Sequence, residues 1–174
     1  MNDAFALSEA TISPCGKYRY WLERKWSAAP PLVFIMLNPS TADASVDDPT
    51  IRRCCHFAKR EGAGGLIVVN LFAYRATDPK ELDGADIMAG NAVGKYAGSE
   101  NTQNIGMAML AAMINGRPVV CAWGSSKHAP KMADRIKARA KDFEIGLVCF
   151  KINKDGQPKH PLYVSGEAPL ITYE

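Results

Sequence analysis

Three polar side chains stand directly behind apolar runs, where a buried strand would deliver them to a surface. Asn38 follows "PLVFIML" and precedes Pro39; Asn70 closes "GLIVVN"; His160 sits in "PKHPLY", downstream of "IGLVCF". An asparagine ahead of proline is kept out of the helical region. It can hold a water or a carbonyl at a fixed point, or cap its own turn. A strand-end amide such as that of Asn70 presents a donor beside an acceptor, the complement of a pyrimidine or purine edge, and it can equally cap a loop. A histidine in a segment with Lys151, Lys154 and Lys159 can stabilise an anionic leaving group while the lysines meet phosphates.

The acids nearby are Asp43, Asp47 and Asp48. Asp48 precedes Pro49 and an amphipathic run, which makes it a helix N-cap. Asp43 stays open as a carboxylate close to Asn38. With no histidine or carboxylate cluster beside them, neither a metal nor a cofactor is expected. The chain has no Gly-x-x-x-x-Gly-Lys-Ser/Thr phosphate loop, no Gly-x-Gly-x-x-Gly after a strand, no Gly-x-Ser-x-Gly and no His-Glu-x-x-His.

The elements that must position these residues follow from the hydrophobic pattern. "ATIS-PCGK-YRYWLERKW" reads as a hairpin over about residues 10–27. The unbroken apolar runs at 31–37, 65–70, in "RPVVCAWG" and at 145–150 suit strands buried on both faces. "DDPTIRRCCHFAKREG" predicts a helix of about four turns with Ile51, Cys54, Cys55 and Ala58 on one face. Asp78-Pro79 is another helix start, residues 101–115 a Met/Ala-rich helix, and "KHAPKMADRIKARAKD" contains a basic one. The tail after residue 150 reads as loop. Strands alternating with helices predict a three-layer α/β/α fold with a four-stranded, mainly parallel sheet plus the N-terminal hairpin. In such sheets ligands bind beyond the C-terminal strand ends, where Asn38, Asn70, "WGSS" and His160 would gather.

Bulk properties fit one domain over residues 1–174. The net charge of +3 permits nucleic-acid contact without arguing for it. No apolar stretch has membrane-spanning length. Residues 1–10 lack the basic and apolar regions of a signal peptide. The five cysteines include no C-x-x-C, so reduced thiols and a cytoplasmic location are expected.

The order of strand ends resembles the uracil-DNA glycosylase superfamily. "IMLNPS", "IVVN", "VCAWGSSKHAPK" and "PKHPLYVS" stand where that superfamily has its water-handling Gly-x-Asp/Asn-Pro, its base-reading asparagine, its Leu-Trp-Gly and its His-Pro-Ser-Pro. The likeness covers about residues 32–165 and leaves the hairpin outside. The resemblance implies that Asn38 positions water, Asn70 bonds the base edge and His160 donates to the departing base, acting on a nucleotide flipped from its stack. Leu37 and Met36 replace the superfamily's glycine side of the motif, and an asparagine replaces its aspartate. Ser40 stands where the uracil-specific branch has a tyrosine, which implies room for thymine or a larger 5-substituted pyrimidine. Leu162-Tyr163 replaces Ser-Pro; Tyr163 stacks on a base or packs in the core. Phe72 and Tyr74 are candidates to sandwich the base. Through "IMLNPSTAD…DDPTIRRC", "NLFAYRATDPKEL" and "HPLYV" the whole chain also resembles an uncharacterised bacterial and phage domain-of-unknown-function family.

The candidate catalytic residues are therefore Asn38, His160 and Asp43, and the candidate substrate-binding residues Pro39, Ser40, Asn70, Arg75, Trp123 and Tyr163. Three functions stay open. One is an N-glycosylase acting on a pyrimidine or modified base in DNA or a nucleotide. The second is a non-catalytic base- or nucleotide-binding module in a phage or DNA-modification setting. The third is a small-metabolite enzyme with Asp43 as base. DNA, a nucleotide or a nucleobase is the expected partner.

Overall fold

The computed structural model describes residues 6–83 and 100–174. Residues 1–5, part of the stretch read for a signal peptide, lie outside them. The strands are β1 (Leu7–Ile12), β2 (Arg19–Lys25), β3 (Pro31–Met36), β4 (Gly65–Asn70), β5 (Val119–Cys121), β6 (Leu147–Cys149) and β7 (Ile171–Thr172). The helices are α1 (Pro49–Arg60), α2 (Glu100–Ile114) and α3 (Ala129–Asp142).

Alternation along the central strands sorts their side chains between two apolar layers. Leu32, Phe34 and Met36 of β3, Leu66 and Val68 of β4 and Val120 of β5 pack with Ile51, Cys54, Phe57 and Ala58 of α1. Val33 and Ile35, Ile67 and Val69, and Val119 and Cys121 pack instead with Ile105 and Met109 of α2 and Ala133 and Ile136 of α3. Every residue of β4 is buried, as expected for a strand covered on both faces. Phe57 stacks on Phe150 with ring centroids 4.0 Å apart, seating α1 against the end of β6.

The sheet is wider and more mixed than the four-stranded, mainly parallel one expected. Its order is β1-β2-β4-β3-β5-β6-β7. The four apolar strands β4, β3, β5 and β6 run parallel at its centre. β1, β2 and β7 add antiparallel pairings outside them. The hairpin is no appendage, because β2 pairs with β4 from Leu22↔Val68 to Lys25↔Gly65. Left alone, that edge of β4 would expose unpaired backbone amides and carbonyls. The tail read as loop supplies β7, which covers the other edge through Val148↔Thr172 and Cys149↔Ile171. Asp78-Pro79 opens only a 3-10 turn, Pro79–Asp83. Among the described residues no helix is long and apolar enough to cross a membrane.

Connectivity makes a crevice at the centre. From β3 the chain passes through α1 to β4 on one side, then returns past α2 to β5 on the other side of β3. Connections diverging from one central strand leave a gap above its C-terminal end, the usual ligand position in open α/β sheets.

Residues 37–48, which join β3 to α1 over this gap, are held by arginines. Arg19 Nη1 donates to Ala42 O at 2.8 Å, and Arg24 Nη2 to Asp43 O at 2.5 Å. Arg75 reaches Ser40 O and Thr41 O, and Arg52 reaches Asp47 O. The buried Arg24 also grips Asp47 Oδ1 through Nε at 2.9 Å and Nη2 at 2.7 Å. Removing one partner of a buried pair strands the other charge. Because Asp47 is partly exposed, Asp47→Ala should cost about 2–3 kcal/mol, less than the roughly 3–5 kcal/mol of a fully buried pair. Urea unfolding should show a lower midpoint at unchanged slope; a change within about 0.5 kcal/mol would mean that the clamp does not depend on this pair.

Candidate functional site

A cavity of about 570 Å³ opens at the C-terminal edge of the parallel strands. Met36, Leu37 and Asn38 line it from the end of β3, Asn70 from β4, Trp123 and Gly124 after β5, and Lys159 and His160 after β6. The first turn of α1 closes one wall with Asp48, Pro49, Thr50 and Ile51. Asn70 shares its strand face with Leu66 and Val68, the side that α1 covers, and pairs across the sheet with Met36.

Each predicted side chain has a definite environment. Asn38 gives both amide protons to backbone, to Ala76 O at 2.9 Å and Pro39 O at 3.2 Å. With carbonyls on that side the Nδ2/Oδ1 assignment is fixed, and Oδ1 is the function left for a ligand. Asn70 is 1% exposed, and its Nδ2 has no hydrogen-bond partner. Its main-chain oxygen is held by Asn101 Nδ2 at 3.1 Å, which ties α2 to the end of β4. An unpaired buried amide costs about 1–3 kcal/mol, which a ligand or ordered water meeting it recovers.

His160 caps the short turn Pro161–Tyr163, its Nδ1 accepting from Leu162 N–H at 3.4 Å. That bond leaves Nε2 as the protonated nitrogen of the neutral ring. Burial pushes the imidazole below its ordinary 6.5, with the charge of Asp48 opposing the shift. Gly124 makes room for it: at φ +74° it adopts a backbone that favours glycine, and a Cβ there would stand 3.3 Å from His160 Cβ. Trp123 is fixed through Nε1 to Gln157 Oε1 at 2.8 Å and edge-on against Tyr173. Tyr163, 73% exposed, stands at the rim with its ring tilted to His160 at 5.7 Å. Ser40 lines the cavity near Thr77, its Oγ 3.5 Å from Thr77 Oγ1.

Three predicted residues are not brought to the cavity. Asp43 Oδ1 accepts from Ser45 N–H at 2.7 Å and Val46 N–H at 2.9 Å, bonds that hold its carboxyl below the usual carboxylate range. Arg75 spends its guanidinium on the carbonyls of Gly16, Ser40 and Thr41. Pro39 is buried beneath the lining, its carbonyl accepting from Ala76 N–H at 2.9 Å. Phe72 and Tyr74 are also outside the lining; Phe72 packs on His128 and Tyr74 on Tyr18.

Among the lining residues not predicted for the site, Asp48 and Arg19 carry charge. Asp48 does cap α1, its Oδ1 accepting from Ile51 N–H at 2.8 Å, and it also faces the cavity. It is the one carboxylate among the described residues of the lining. Arg19 comes from the hairpin; it is 2% exposed, and burial pushes its guanidinium down to about 10, still charged at neutral pH. No local signal marked it: by alternation in "YRYWLERK" it shares the parity of Trp21, Glu23 and Lys25, the less buried side of the strand, where an arginine is ordinarily exposed. Among the described residues no three His, Cys, Asp or Glu side chains group to hold a metal ion.

Residues 19–162 match the family model described as "Protein of unknown function (DUF1643)". No curated protein and no solved structure matches the chain.

Three measurements follow from the geometry around His160. NMR titration should place its imidazole below 6.5, and a value at or above 6.5 would contradict the burial. Since the fold favours the neutral ring, the unfolded chain binds more protons as pH falls through 6.5. Stability should therefore drop from pH 6.5 down to the folded-state pKa, and His160→Asn should remove that part of the slope. Gly124→Ala should destabilise by about 1–3 kcal/mol from backbone strain and shift the His160 ring resonances; an unchanged histidine spectrum would mean that the close approach is unimportant.

Proposed function

The chain belongs to the DUF1643 family, whose description names no activity, and from its cavity we propose that it recognises a nucleobase, free or within a nucleotide or nucleic acid. The convergence of Asn38, Asn70, Trp123 and His160 on a single cavity carries this reading. The Asn70 amide, buried and unpartnered at Nδ2, supplies the donor that a base edge would satisfy. Tyr163 offers an exposed ring at the rim for stacking. The arrangement agrees with the glycosylase-like order of strand ends, and that likeness, with its three-layer sheet, is part of the proposal.

The activity that we assign is hydrolysis of an N-glycosidic bond to a pyrimidine or modified base. Asn38 Oδ1 orients the attacking water, and His160 Nε2–H donates to the base as it leaves with the bonding electrons. Asn38 cannot take the water's proton; Asp48 is the carboxylate in the lining that can. A cytoplasmic setting goes with this reading and with five unpaired cysteines.

A second reading, a non-hydrolytic base- or nucleotide-binding module, has one observation in its favour. The Asn38 amide ties two loop carbonyls, a structural duty that needs no substrate. A metabolite enzyme using Asp43 as base draws no support from a carboxylate that caps its own turn outside the cavity.

The readings separate on pyrimidine nucleoside 5′-monophosphates and on single- and double-stranded oligonucleotides carrying uracil, mismatches or 5-substituted pyrimidines. Free base should be released from at least one of them, and His160→Ala should slow the reaction by about 10²–10⁴-fold. Saturable nucleoside binding without any released base would leave the binding module. Neither product nor binding would end both readings.

A further inference from the structure

We propose that the ligand entering this cavity carries a terminal phosphate that pairs with Arg19, so that the substrate class is a free nucleoside monophosphate rather than a base within a polymer. The inference rests on the nucleobase reading and adds to it a second recognition point, from a hairpin that the glycosylase resemblance does not cover.

Arg19 lines the cavity while being 2% exposed. Among the described residues no carboxylate lies within ion-pair distance of it, and its one hydrogen bond runs from Nη1 to Ala42 O. Nε is buried without a partner. A buried guanidinium without a paired anion is among the most costly arrangements in a protein. Arg24, its neighbour in β2, shows the ordinary solution, with Asp47 at 2.7 Å. Arg19 has no carboxylate in contact, only the more distant charges of Asp48 and, more weakly, Asp43, and it borders a space large enough for a ligand.

The nature of the anion follows from depth and shape. Phosphates of a nucleic-acid backbone pass along a protein's surface and meet exposed lysines and arginines. A guanidinium set in the cavity wall is reached only by a group that enters. A planar fork matches the oxygens of phosphate in paired hydrogen bonds. Lys159 contributes a second cation to the lining, against, among the described residues, the one carboxylate of Asp48, whose Oδ1 is already engaged at the N-terminus of α1. The volume of about 570 Å³ falls in the range of roughly 300–1,000 Å³ usual for small-molecule sites.

Calorimetry on the full chain distinguishes this from its alternatives, using thymidine, thymidine 5′-monophosphate, deoxyribose 5-phosphate and a 5′-phosphorylated thymidine oligonucleotide. The monophosphate should bind about tenfold to a hundredfold more tightly than the nucleoside, the gain expected of a charge-assisted contact. It should also bind more tightly than the oligonucleotide. Arg19→Gln should erase the advantage of the monophosphate over the nucleoside, whatever loss of the Ala42 contact does to both affinities, while Arg19→Lys should restore part of it. Equal affinity for nucleoside and monophosphate in the unaltered protein overturns the phosphate inference, whatever becomes of the variants, and leaves the base reading standing. Binding of deoxyribose 5-phosphate as tight as that of the monophosphate sinks the base reading and leaves Arg19 as an anion site. Tighter binding of the oligonucleotide than of the monophosphate overturns the assignment to a free nucleotide, and no binding of any probe overturns both.

Discussion

Residues 37–48 must hold a fixed shape with almost no secondary structure, and arginines binding their carbonyl oxygens make that possible. Loop carbonyls that are not paired in a ladder need other donors. Arg19 takes Ala42, Arg24 takes Asp43, Arg75 takes Ser40 and Thr41, and Arg52 takes Asp47. The same segment carries Asn38 near its start and ends with Asp48, two of the groups that face the cavity. Position and chemistry are thereby coupled. Two of these arginines lie on β2, so the hairpin that completes the sheet also fixes the loop over the site.

The sheet explains why the polar groups meet at one edge. Parallel pairing of β4, β3, β5 and β6 puts all four C-terminal ends on one side. The divergence of connections from β3 opens the gap between them. Burial then tunes what stands there: it favours the neutral imidazole of His160 and leaves the Asn70 amide without a protein partner. It also holds Arg19 without a carboxylate at pairing distance. At the rim of this site Leu162 and Tyr163 are the exposed large side chains.

Much of this was legible in the residues. Unbroken apolar runs located the central strands, and the rule that ligands gather at their C-terminal ends drew Asn38, Asn70, Trp123 and His160 together. The Asp48-Pro49 cap marked the start of α1 correctly. What could not be read were the pairings between distant segments. Nothing local in "YRYWLERK" says that it will join β4, and "IT" near the end is too short to show a strand period. Asp48 was concealed by its own success as a cap, since one oxygen bonded to Ile51 N–H explained the residue without its second role. Asp43 and Arg75 were chosen for chemistry that their backbone partners claim instead. Such choices depend on which carbonyls and amides the loop leaves open, and that is known only once the loop is folded.

The central claim is that the cavity reads a base through Asn70. Its side-chain amide signals in the ¹⁵N-labelled protein give the most direct test, during titration with a pyrimidine nucleotide. The account predicts saturable, concerted shifts of the Asn70 NH₂ pair, the Trp123 indole N–H and the His160 ring, with slower solvent exchange of the Asn70 protons once they are bonded. Saturable shifts confined to other surfaces, with the Asn70 amide unmoved, would contradict it.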